Sequence, residues 1–151
     1  MGLIDIASNA SAWRGYEYYT EGKVMSITKT GESEYDGKVS GSSKEPYSVH
    51  IYIQHPKKST CSCPFAEGSK KVCKHKVALY FHAFPDEAKK YLDEVERAEE
   101  EEQEYKKMLY DKAEQRVFTM KKSELQEALW HVLTSSPEWV LDSFIRDYIG
   151  Y

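Results

Sequence analysis

Cys61-Ser62-Cys63-Pro64-Phe65-Ala66-Glu67-Gly68-Ser69-Lys70-Lys71-Val72-Cys73-Lys74-His75 is the stretch on which the reading of this chain turns. Its ligating residues are spaced C-x-C-x9-C-x-H, and it holds all 3 cysteines of the 151-residue protein. Three thiols and one imidazole supply the four donors of a tetrahedral zinc site. Cys61 and Cys63 stand two apart, so in an extended segment both side chains point the same way. Cys73 and His75 are also two apart, but they precede the helical pattern Lys76-Val77-Ala78-Leu79-Tyr80-Phe81. Helix positions two apart face nearly opposite sides, which predicts Cys73 just before the first turn and His75 inside it. The expected unit is a strand or hairpin giving two sulfurs and a helix start giving sulfur and nitrogen. Catalytic zinc keeps three protein ligands and an open position. Cys61, Cys63, Cys73 and His75 fill all four, so one structural Zn2+ is expected, and no catalytic residue.

Working outward, the sequence before the cluster reads as a short helix and then strands. Ile6, Ala10, Trp13, Tyr16 and Tyr19 or Thr20 recur at a weak helical period, with Gly15 and Gly22 weakening it. Val24 to Thr30 is rich in β-branched residues and ends at Gly31. Tyr35 to Ser40 follows, with Asp36-Gly37 as a turn or bulge signal. Tyr47 to Ile53 alternates strictly, with Tyr47, Val49, Ile51 and Ile53 on one face.

This pattern resembles the SWIM zinc finger family, whose ligands fall on Cys61, Cys63, Cys73 and His75. Arg14-Gly15, Tyr19 and Gly22-Lys23-Val24 ahead of the strands are similar to bacterial SWIM proteins, so the resemblance spans roughly residues 10–82. It implies a ββα finger and a stand-alone bacterial or archaeal type of member, without ATPase or transposase motifs. It also implies binding to DNA or to proteins.

Charge sharpens the question of partners. Residues 1–85 carry 11 Lys/Arg against 8 Asp/Glu, whereas residues 86–151 carry 10 against 17. Around the cluster stand Lys57, Lys58, Lys70, Lys71, Lys74 and Lys76, opposed by Glu67 alone. Such a patch neutralises phosphates, and Tyr52, Phe65, Tyr80 and Phe81 are aromatics on which unpaired bases stack. The absence of arginine from this stretch argues against bidentate reading of guanine, so low sequence specificity is expected. The same lysines have a second explanation. Three thiolates around a divalent zinc leave the site at about −1, which nearby ammonium groups offset. His50, His55 and His82 read as surface or strand-face residues.

The second half is expected to be helical. Pro85-Asp86 starts a long helix that runs without Gly or Pro to about Val117. Tyr91, Val95, Ala98, Tyr105, Leu109 and the stem of Lys112 trace a heptad-like seam that Glu102 interrupts. Ser123-Glu124-Leu125-Gln126 reads as a capping box for a second helix. Ser136 and Pro137 read as cap and first residue of a third. From Ser123 onward one Arg and no Lys face five acids, which argues against a DNA-reading helix pair. Trp130 and Trp139 are candidate anchors for a protein partner, although residence in a core is the commoner fate of such residues.

The sequence thus predicts an α+β chain: residues 1–84 form a small antiparallel sheet with a ββα-like zinc finger, and residues 85–151 an acidic all-helical extension. No stretch approaches the roughly 20 apolar residues of a membrane span. The Met1–Ile6 start lacks a basic n-region and an apolar stretch, which predicts a cytoplasmic protein without a signal peptide. Clustered cysteines in that reducing setting favour metal over disulfides. No nucleophile–base set, paired-carboxylate site or phosphate-cradling glycine loop is evident, so a non-enzyme is expected. Two functions stay open: binding of DNA or another nucleic acid through the finger lysines, or a protein-interaction adaptor using the acidic helices. Homo-oligomerisation is undecided.

Overall fold

Alternation in β3 (Tyr47–Tyr52) organises the first half of the molecule. A computed structural model describes residues 2–150. In it β1 (Val24–Lys29), β2 (Glu34–Val39), β3 and β4 (Thr60–Cys61) form one antiparallel sheet in chain order. Val49 and Ile51 of β3 are buried, while Ser48 before them is exposed and His50 between them is half-buried, the period of two that the sequence carries. β2 pairs Gly37 with Val49 and Tyr35 with Ile51, so Tyr35, Gly37 and Val39 share the inner face. β4 pairs Cys61 with Val49, which turns the first cysteine inward as well.

Two helices, α1 (Asn9–Thr20) and α2 (Lys74–Ala83), complete this unit. The core joins Val39, Val49 and Ile51 of the sheet to Val77, Leu79 and Phe81 of α2, with Leu3 from the N-terminal turn. Fully burying side chains of this size contributes about 1.5–3 kcal/mol each. β1 meets this core through an irregularity. Its register shifts between Val24 and Ser26, leaving Met25 exposed. The extra residue lets Val24 and Ile27, three apart, both pack against the core, which a regular strand forbids.

Glycines mark where elements approach closely. Asp36-Gly37 is no turn: both residues lie inside β2. A Cβ on Gly37 would come 2.4 Å from Leu79 Cδ1, so this glycine makes room for α2 on the sheet. Gly15, which lowers the helix propensity of α1, has the same use. A Cβ there would stand 2.4 Å from Val77 Cβ, where α1 crosses α2. Gly15→Ala is therefore expected to force the helices apart and cost about 1–3 kcal/mol, measured as a lower denaturant midpoint at unchanged slope.

The chain divides into two compact units, the first ending at Glu96 and the second starting at Arg97. The long helix α3 (Pro85–Thr119) begins in the first, where Ala88 is buried and Tyr91 packs on the core. Of the heptad-like positions, Tyr91 thus belongs to the finger core, while Tyr105 and Leu109 are exposed. The second unit contains the rest of α3, α4 (Lys122–Ser135) and α5 (Glu138–Tyr148). Both short helices start slightly away from the expected points. Lys121 is the cap of α4, and its N–H donates to the Glu124 carboxylate at 2.9 Å. Glu124, not Gln126, therefore reaches back to the helix start, and Ser123 lies within the helix. Pro137 caps α5 in place of Ser136; with no N–H, proline suits the end of a helix. No helix of the described residues is long and apolar enough to cross a membrane.

Candidate metal centre

Each ligand is set by a different local device. Cys61 is placed by its pairing with Val49. Cys63 follows two residues past the end of β4, and its carbonyl accepts N–H bonds from Ala66 (3.0 Å) and Glu67 (2.9 Å), closing a tight turn. Ser62 ties that turn to β3: its N–H donates to the Ser48 carbonyl at 3.0 Å, and its hydroxyl accepts the Ser48 N–H at 3.0 Å. Cys73 caps α2 with extended backbone, and His75 sits in the first helical turn. The expected layout holds: two sulfurs come from the hairpin end, one sulfur and one imidazole from the helix start.

The four donor atoms lie within 4.8 Å of one another, and all four residues are buried. Cys61 Sγ is 3.8 Å from His75 Nδ1. A tetrahedral zinc shell with bonds of about 2.0–2.3 Å spaces its ligand atoms roughly 3.5–3.8 Å apart. The donor set and the Cys61–His75 spacing therefore fit zinc, with Nδ1 as the imidazole ligand. His75 Nε2 is buried without a hydrogen-bond partner among the described residues. Gly41 lies against it, since a Cβ there would come 2.9 Å from Nε2. The ring is held by aromatic neighbours, Tyr47 at 4.7 Å and Tyr18 at 5.5 Å between centroids.

Electrostatics in the cluster are shared among the thiols. The Cys73 thiol is pulled down to about 4. The Cys61 hydrogen bond is the main cause, with His75 and the Lys76 backbone N–H at the helix start also helping. Cys61 is pushed far up because it serves as that donor and is buried, and burial likewise raises Cys63. Metal binding must displace the protons that remain on Cys61 and Cys63, so affinity for zinc falls as pH falls.

The lysines separate into two groups. Lys57, Lys58, Lys70 and Lys71 are exposed, and Lys74 is half-buried with its ammonium 4.2 Å from the Tyr18 ring centre. Lys76 departs from the expected role. Its side chain is 0% exposed, and its ammonium donates to the Lys71 carbonyl at 2.8 Å, so it is out of reach of a nucleic acid. Burial pulls its pKa down, and the thiolates of Cys73, Cys61 and Cys63 pull it back. Lys76 is thus a buried cation whose charged form the cluster favours. The sequence signal was its place three residues after Cys73, the helical spacing that returns to the same side.

The remaining candidates lie apart from the cluster. His50 pairs with Asp36 on the outer sheet face at 2.7 Å, His55 packs its ring edge-on against Tyr52, and His82 is exposed in the last turn of α2. Trp130 on α4 and Trp139 on α5 are 67% and 69% exposed, so neither resides in a core.

Hairpin, helix and donor set together define a Cys3His zinc-finger unit. The chain's match to known families gives its kind: the SWIM zinc finger model fits residues 47–84, which contain all four ligands. Residues 10–46 lie outside that match. No curated protein and no solved structure matches the chain. The segment is a zinc-binding module.

Proposed function

We propose that this module holds one zinc ion in a purely structural role and binds nucleic acid, DNA with little sequence specificity, through the lysines of the finger. The observation that carries the reading is the burial of Lys76. A Cys3His zinc site has a charge of about −1, and one ammonium inside the fold offsets it. Lys57, Lys58, Lys70 and Lys71 are then not needed for that purpose, yet all four are exposed. Lysine ammonium groups meet phosphates as point charges and without base preference.

The test is fluorescence anisotropy with a labelled oligonucleotide across a salt series. Affinity should fall steeply with salt. Replacing Lys57, Lys58, Lys70 and Lys71 by Ala should weaken binding and flatten the slope of log K against log salt by about 0.7–0.9 per lost phosphate contact. Binding that is indifferent to salt and to these four residues would refute the reading.

A second reading rests on Trp130 and Trp139. Two exposed tryptophans on an acidic helical unit suit a protein partner. It predicts a complex, isolated by pull-down with the full chain, that survives the lysine replacements and is lost when both tryptophans become Ala.

A further inference from the structure

We infer that the cleft between the start of α1 and the start of α2 seats one unpaired nucleotide of a single strand, its phosphate on Arg14 and Lys74 and its base against Phe65. The inference rests on the nucleic-acid reading above and assigns it a pocket. The cleft has a volume of about 420 Å³, within the roughly 300–1,000 Å³ of small-molecule sites. One wall is the first turns of α1, with Ser8, Ser11 and Arg14; the other is the first turn of α2, with Lys74 and His75. Ser42, Tyr47 and Phe65 close its sides.

The lining contains two cations, four hydroxyls and the thiols of the metal ligands Cys63 and Cys73, but no carboxylate. Arg14 makes no ion pair among the described residues. Both helices start at the cleft; the Lys76 N–H of α2 serves the Cys73 sulfur, and the other first-turn N–H groups of α2 have no side-chain cap, which favours an anion there. His75, 4% exposed, lines the same cleft and has a ring nitrogen without a partner. Cys63 and Cys73 also line the cleft; the negative charge of their thiolates would oppose an anion, and the divalent ion they would hold, together with the buried Lys76 ammonium, offsets it.

The aromatic groups add a base site. Tyr47 is fixed, its ring tilted at 41° against His75 and its hydroxyl 3.3 Å from Ser42 Oγ. Phe65 is 56% exposed at the rim, and the Lys71 ammonium lies 5.2 Å from its ring centre. A phenyl ring left open beside cations offers a stacking surface to any base. A base paired in a duplex cannot reach such a cleft, so the cleft selects single strands.

The test uses the full zinc-loaded chain and a fluorescein-labelled oligothymidylate of roughly 12 nucleotides, within the usual single-strand site sizes. A duplex of equal length is the comparison. Tighter binding of the single strand is expected. Arg14→Ala and Phe65→Ala should each weaken it by about tenfold, while Phe65→Trp restores it. Melting temperature and zinc content, which exposed residues should leave unchanged, show that the variants fold. Equal affinity for strand and duplex, with both alanine variants binding like the parent, would overturn the cleft and leave the lysine reading standing. No binding of either probe by the parent would overturn both. Displacement of the strand by thymidine monophosphate at comparable concentration would also overturn the assignment to a strand, moving the cleft to free nucleotides.

Discussion

Cys73→Ser is expected to abolish stable zinc binding and to unfold the finger over residues 50–82. Cys73 is central for three reasons. It is one of four donors in a closed set, it is the thiol most readily ionised, and it forms the N-terminal boundary of α2. Zinc binding in small fingers is folding energy, about 10–16 kcal/mol in apparent terms. A whole domain is stable by only about 5–15 kcal/mol. Losing a thiolate ligand therefore removes an amount comparable to the entire margin. Core residues of α2 such as Val77, Leu79 and Phe81 would lose their order, and α1, which crosses α2 at Gly15, would lose its seat. Elemental analysis should find less than one zinc per chain, and the thermal transition should fall or vanish. Ser62→Ala, between Cys61 and Cys63, keeps all four donors and should retain the metal. A Cys73→Ser protein with full zinc content and the parent melting temperature would show that the cluster is not a metal site. Lowering the pH of the parent protein should release zinc in the same assay, because protons return to the thiols.

Phe81→Ala is expected to destabilise the first unit by about 3–5 kcal/mol, the usual cost of emptying a buried phenylalanine site. Phe81 is 0% exposed and joins α2 to α1 and to the start of α3. Its ring meets Tyr16 and Tyr19 of α1 at 6.0 and 6.2 Å and Tyr91 of α3 at 5.3 Å. Edge and tilted ring pairs of this kind add about 0.5–1.5 kcal/mol each beyond area burial. The signature should differ from that of Cys73→Ser. The metal ligands are untouched, so the variant should bind zinc at low temperature and unfold at a much lower urea concentration. A loss below about 1 kcal/mol would mean that the aromatic cluster relaxes to fill the space.

The metal ligands and the sheet were legible because short-range rules decide them. The alternation of Tyr47 to Ile53 fixes a face, and the two-residue spacing of Cys73 and His75 fixes where a helix must begin. What was not legible depends on neighbours distant in sequence. Asp36-Gly37 has the composition of a turn, and only the Leu79 side chain above it explains a glycine inside a strand. Lys76 reads as one more surface lysine until its phase relative to Cys73 is set beside the burial of α2. The cleft joins residues of α1 to residues of α2, so no window of the sequence contains it. The starts of α4 and α5 were misplaced by a residue or two because several adjacent polar residues and a proline compete as caps.

The crossing of α1 over α2 at Gly15 and Val77 also bears on how the protein is made. Residues 9–20 leave the ribosome long before residue 77 does. The segment is short, contains a glycine and packs mainly on a helix that does not yet exist, so alone it is a poor helix. It must remain unstructured during synthesis until the last cysteine has emerged and α2 has formed. The first helix of the chain is thus among the last parts of its unit to settle, and the arrival of the metal governs structure at a segment some forty residues upstream of the first ligand.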